Sequence, residues 1–235
     1  MRSLVFLALL ALGCHRVAAG AEPVDFYTGG AKPGDAVPVI IALHGYGGRP
    51  ERIVRMLDGF ALRAHVIAPR GIHTAGHGWG WVSIRIEHST DELAPGITEA
   101  ADAVLRVVAE RTRGQATCGR PIVVGFSQGG FLSYALAARS PAVVAAAFPI
   151  GGLLSPSLRP TKAPKDAPRV LAFHGEADET VDLEEDRRTY AAFEQAGYAG
   201  KLHTYPGVQH VIAPEIVRDV QEEIARAIRD EGCAR

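Results

Sequence analysis

Cysteine, methionine and tryptophan are scarce in this chain of 235 residues, at three, two and two copies, and neither charge sign dominates: 25 Lys and Arg stand against 26 Asp and Glu. With a net charge of −1 and no basic stripe, nucleic acid is excluded as an expected partner. Long low-complexity tracts, linkers and internal repeats are missing as well, which argues against a second domain. What is present is a 47% hydrophobic composition, enough for one core of about 200 residues.

Long apolar runs are equally few. The stretch from Leu4 to Gly13, behind Met1-Arg2-Ser3, is too short to span a bilayer as a mature helix and has the form of an export signal. Two processing routes fit it. Cleavage after Ala19 or Ala21 suits ordinary signal peptidase, whereas Leu10-Ala11-Leu12-Gly13-Cys14 resembles a bacterial lipobox in which Cys14 becomes the lipidated N-terminus and anchors the protein to a membrane. Residues 1–20 are therefore expected to be a signal and residues 22–235 the folded domain, exported to the periplasm, to the medium or to the lipid surface of the bacterial envelope. With Cys14 removed or lipidated, Cys118 and Cys233 remain as an even pair, to be joined in a disulfide or left as two thiols.

Strand and helix signals alternate along the rest. Continuous apolar runs at 39–43, 65–68, 121–125, 143–150 and 170–173 predict strands buried on both faces, the pattern of a parallel sheet. A short edge strand is expected at 24–27 and another strand at 201–205. Helical spacing predicts helices over 50–63, 100–113, 183–196 and 214–229, and one after Gly129 that carries Phe131, Leu132, Ala135 and Leu136. Residues 70–95 read as a long irregular loop. The class is α/β, a mostly parallel central sheet with helices on both faces and no room for a large cap domain.

The chain is organised around Val123-Val124-Gly125-Phe126-Ser127-Gln128-Gly129-Gly130, a β-branched run entering Gly-x-Ser-x-Gly and then a helix. A serine on such a sharp turn sits in a strained conformation and needs small residues two positions away on either side. Ser127 is the candidate nucleophile, and the Gln128 N–H at the start of the helix is a candidate oxyanion donor. Serine is a weak nucleophile unaided, so a base and an orienting acid are required, in chain order Ser, acid, His, on loops after later strands. The strand at 170–173 leads to Asp178 and the strand at 201–205 leads to His210, which fill those roles; Glu176, Asp182 and Asp186 are the alternative acids, and Asp178 could instead cap the helix at 183. His44-Gly45-Tyr46-Gly47-Gly48 follows the first central strand, where the Tyr46 N–H can supply the second oxyanion donor.

These four segments, His44-Gly45-Tyr46-Gly47, Gly125 to Gly130, His174 to Val181 and Tyr205 to His210, together resemble the phospholipase/carboxylesterase family of α/β-hydrolases, which includes the acyl-protein thioesterases. The resemblance implies an α/β-hydrolase fold and hydrolysis of esters or thioesters through an acyl-enzyme, without metal or cofactor. It casts Ser127, Asp178 and His210 as the triad and Tyr46 and Gln128 as backbone oxyanion donors. Where family members often carry Trp-Phe-Asp, this chain has Trp81-Val82-Ser83. Trp79 and Trp81 are candidate linings of an acyl pocket. His73, His77 and His88 lie near one another in a Gly-rich loop without regular structure to hold them as metal ligands. The expected activity is cleavage of short to medium acyl esters, the alternatives being polyester depolymerase, feruloyl-esterase-like or thioesterase activity, or a catalytically silent hydrolase fold used for binding.

Overall fold

The computed structural model describes residues 23–83 and 90–233, so the leader with Cys14, and His88, lie outside the described residues. The chain begins with β1 (Val24–Thr28) and β2 (Val39–Leu43), then a single helical turn, α1 (Pro50–Ile53), and β3 (Ala64–Ala68). A small hairpin, β4 (His73–Ala75) and β5 (Gly78–Gly80), precedes the long helix α2 (Ala94–Thr112). Next come β6 (Ile122–Phe126), α3 (Gln128–Arg139), β7 (Ala146–Ile150), β8 (Arg169–Gly175), α4 (Leu183–Ala196), β9 (Gly200–Tyr205) and α5 (Pro214–Asp230).

Seven strands form one sheet in the order β1-β3-β2-β6-β7-β8-β9, parallel throughout except for β1, which runs antiparallel to β3. β2, β3 and β7 are buried at every position, as expected of strands covered on both faces. One face packs against α2, α3 and α4 through residues such as Val104, Leu132, Leu136 and Phe193. The opposite face packs against α1 and α5, where Ile216, Val220, Ile224 and Ile228 recur at helical spacing and turn toward the sheet. The α/β architecture with helices on both faces is thus present, and no large cap domain interrupts it among the described residues. No helix among the described residues is long and apolar enough to cross a membrane.

Three segments differ from their sequence-based reading. The helix expected over 50–63 stops at Ile53, continues as a 3-10 turn from Val54 to Leu57, and is ended by Gly59 at φ 75°. The helix expected to start at 100 starts at Ala94, with Pro95 in its first turn, where proline's missing N–H leaves no bond unmade. The loop read as irregular contains the β4–β5 hairpin, pinned to the loop after β2 by the Trp79 N–H donating to the Gly48 carbonyl at 2.9 Å.

Cys118, just before β6, is joined to Cys233, just after α5, in a disulfide that closes 115 residues of chain. The Cys118 N–H also donates to the Val37 carbonyl ahead of β2, which places this link at the N-terminal edge of the strands.

Candidate active site

The turn from β6 into α3 holds Ser127 at φ 57°, ψ −119°, and among the described residues it is the one non-glycine with positive φ. Such a conformation is costly for an L-residue and persists where its surroundings enforce it. The enforcement is visible: the Ser127 N–H donates to the Ile150 carbonyl of β7 at 2.8 Å, while its carbonyl accepts from the Phe131 N–H at 3.0 Å. No other residue type fits beside it, because a Cβ on Gly125 would stand 2.2 Å from the Gly129 oxygen and one on Gly129 would stand 2.1 Å from the Leu43 oxygen.

The loop after β9 brings His210 over this serine. His210 Nε2 lies 3.0 Å from Ser127 Oγ and Nδ1 lies 2.6 Å from Asp178 Oδ2, on the loop after β8. Nδ1–H donates to the carboxylate, so Nε2 is left to accept the serine proton. Asp178 Oδ1 accepts the backbone N–H groups of Thr180 at 2.8 Å and Val181 at 2.9 Å. Burial alone would push this carboxyl up; the Val181 N–H, His210 and the Thr180 N–H outweigh it and hold Asp178 below the usual carboxylate range.

The other acids are engaged elsewhere. Asp182 caps α4 by accepting the Glu184 N–H, Glu176 accepts the Thr204 hydroxyl at 2.7 Å, and Asp186 is bonded to His174 and Tyr134 in the interior.

On the other side of Ser127 runs the loop His44 to Gly48. A Cβ on Gly45 would stand 3.1 Å from Ser127 Cβ, so glycine here lets the loop that carries Tyr46 pass against the serine. His44 supports the loop from behind: its Nδ1–H donates to the Gly45 carbonyl at 2.7 Å and its Nε2 accepts the Gly71 N–H at 3.0 Å. Acceptance at Nε2 requires a neutral ring, and burial pulls the His44 pKa down accordingly. The Gln128 N–H opens α3, where no preceding turn supplies an acceptor.

The two tryptophans part company. Trp79 lines an open groove of about 500 Å³ with Tyr46, Ile72, His73, Thr74, Val82 and Ser83, and the Arg70 guanidinium sits 3.9 Å over its ring. Trp81 is 1% exposed, donates its indole N–H to the His44 carbonyl at 2.8 Å and belongs to the core rather than the groove. His73 and His77 are brought to no metal-binding cluster, none being found among the described residues.

Two features of the site carry no sequence signal of their own. The Gln128 side chain accepts the Trp81 N–H at 2.8 Å and the Val82 N–H at 3.3 Å while donating to the Val82 carbonyl at 2.8 Å. Behind Asp178, His174 and Asp186 form a second, fully buried imidazole–carboxylate pair.

The arrangement can activate a serine hydroxyl and hold a developing oxyanion. A family model described as phospholipase/carboxylesterase matches residues 31–228. An acyl-protein thioesterase 1 of Gibberella zeae is 31% identical over a stretch covering 43% of this chain and 46% of that protein, so the match spans about half the length of that relative. The crystal structure of esterase PE8 superposes with a TM-score of 0.76 at 19% identity, covering 88% of this chain and 99% of that one. A phospholipase/carboxylesterase from Dyadobacter fermentans superposes with a TM-score of 0.71 at 19% identity, covering 88% and 98%.

Proposed function

The chain belongs to the phospholipase/carboxylesterase family, and from that premise we propose that it is a serine hydrolase that cleaves carboxylic esters through an acyl-enzyme. Ser127 Oγ attacks the ester carbonyl carbon as His210 Nε2 takes its proton. The negative charge that forms on the carbonyl oxygen is met by the N–H groups of Tyr46 and Gln128, and each such donor is typically worth about 3 kcal/mol in the transition state. Asp178 keeps His210 in the required tautomer and stabilises the imidazolium. His210 then gives the proton to the leaving alkoxide, the alcohol departs, and a water deprotonated by the same nitrogen releases the acid and restores Ser127.

The observation that carries this reading is the unbroken run from Ser127 Oγ through His210 to Asp178, at 3.0 and 2.6 Å, starting on the strained turn. The groove of about 500 Å³ beside Tyr46 and Trp79 suits acyl groups of short to medium length. The disulfide between Cys118 and Cys233 favours action outside a reducing cytosol, in keeping with an exported protein.

Initial rates on p-nitrophenyl esters from acetate to palmitate test the proposal, with Ser127→Ala and His210→Ala as controls. Both variants are expected to lose about 10⁴-fold or more in kcat, as members of a unit do. A fluorophosphonate should label wild type and not Ser127→Ala. A folded wild type that neither turns over any ester nor takes the label would overturn the proposal and favour a silent binding protein.

A further inference from the structure

Asp178 is gripped by two histidines. Besides His210 Nδ1 at 2.6 Å, its Oδ2 faces His174 Nε2 at 3.3 Å, and its own side chain is 1% exposed. We propose that His174 is a positioning residue for the reaction, an N–H donor locked by Asp186 that fixes the Asp178 carboxylate on which His210 turns. This inference rests on the serine-hydrolase reading above.

The proton positions follow from the partners. His174 sits in β8, Asp186 in α4 and Tyr134 in α3, and the histidine and aspartate side chains are fully buried. His174 Nε2 lies 3.0 Å from the Val181 carbonyl, which can only accept, so Nε2 carries a hydrogen. His174 Nδ1 lies 2.6 Å from Asp186 Oδ2, and the Tyr134 hydroxyl donates to Asp186 Oδ1 at 2.5 Å. Burial, together with the Asp186 charge, pushes the Tyr134 phenol well above its usual value, so it stays a donor. One proton is therefore shared between His174 Nδ1 and Asp186 Oδ2. Whichever atom holds it, Nε2 keeps its hydrogen, given to the Val181 carbonyl and lying beside Asp178 Oδ2.

The His174 Nε2–H is divided between the Val181 carbonyl at 3.0 Å and, more weakly, Asp178 Oδ2 at 3.3 Å. Asp178 has about four lone-pair sites: hydrogen bonds from Thr180 N–H, Val181 N–H and His210 take three, and the His174 ring stands against Oδ2. Because His174 also holds Val181, whose N–H is one of those donors, it resists rotation of the carboxylate away from His210 during the proton transfers. A buried imidazole–carboxylate pair is weak evidence for stability, since apolar residues of similar volume often serve as well. Its placement against the orienting acid is what gives it a use.

The two amide isosteres separate the halves of the ring. His174→Asn puts an amide near Nδ1, keeping the bond to Asp186 and leaving no donor toward Asp178; His174→Gln puts the amide near Nε2 and keeps that donor. In the ester assay, His174→Asn is expected to lose about 10- to 100-fold in kcat with KM little changed, the scale of a small misplacement of catalytic groups, while His174→Gln stays within about threefold of wild type. Equal losses in both, or no loss in either, would overturn the proposal. Ser127→Ala in the same assay tells the two readings apart, because its failure to abolish turnover sinks the serine mechanism and not the placement of His174. Imidazole ¹⁵N spectra of the wild type need neither turnover nor a variant: His174 Nε2 should remain protonated from about pH 5 to 8, across the ordinary titration range of histidine. A bare Nε2 in that range would overturn the proposal.

Discussion

Gln128 holds Trp81 by the backbone: its Oε1 accepts the Trp81 N–H at 2.8 Å, so the residue that follows the candidate nucleophile also fastens the loop beyond β5. Replacing it with leucine leaves the N–H groups of Trp81 and Val82 and the Val82 carbonyl buried without partners. Each orphaned group costs about 1–3 kcal/mol. Gln128→Leu is therefore expected to lower Tm and raise KM for esters, with a smaller effect on kcat, since its backbone N–H is retained. Thermal denaturation and steady-state kinetics check this.

Gly45 is predicted to be intolerant of even one methyl. Its Cβ would press on Ser127 Cβ at 3.1 Å and on the Phe126 ring at 3.2 Å, which moves the Tyr46 N–H away from the serine. Gly45→Ala should fold, by circular dichroism, and lose about 10- to 100-fold in kcat, somewhat less than loss of a whole oxyanion donor.

Reduction of the Cys118–Cys233 disulfide, or its replacement by two serines, should act on stability and leave catalysis alone. The loop of 115 residues it closes corresponds to about 5 kcal/mol by chain entropy, or a fall in Tm of about 10 °C or more. Because the link lies at the strand edge opposite Ser127, kcat and KM below the transition should match wild type.

Two buried histidines bend the pH dependence of stability in opposite directions. Burial lowers the His44 pKa below its unfolded value of about 6.5, so the native state holds that proton less tightly than the unfolded chain. Its contribution is present above about pH 6.5 and is lost as the pH falls below that value. At His174 burial also pulls downward, but the hydrogen bond and charge of Asp186 prevail and the pKa is raised. That contribution is complete below about pH 6.5 and is lost as the pH rises through the folded value. Urea denaturation across pH should show His44→Asn with a flatter acid side and His174→Gln with a flatter alkaline side.

Much of this was legible in the residues. The apolar runs of β2, β6 and β8 announce a buried parallel sheet, and α4 lies over 183–196 as its spacing predicts, ended by Gly197 in the left-handed region. Ser127, Asp178 and His210 were legible because strand ends fix where a loop residue must fall. The hairpin β4–β5 was not, since its strands are only three residues long, one of them Gly-Trp-Gly, and take their register from a bond to the Gly48 carbonyl, far away in sequence. Nor could Trp79 be told from Trp81. Two residues apart, they would share a face in a continuous strand, but β5 ends at Gly80 and the chain bends, sending one ring to the groove and the other beneath His44. The pairing of His174 with Asp186 depends on how α4 folds back across β8, which no local pattern records.

The disulfide has a topological consequence for the site. Ser127, Asp178 and His210 all lie between Cys118 and Cys233, so the three groups belong to a single covalent ring, while Tyr46 and Trp79 lie on the open strand of chain that precedes it. A protease that nicks the open part can detach the Tyr46 loop and the groove, but one cut within the ring leaves all three groups on fragments that stay joined.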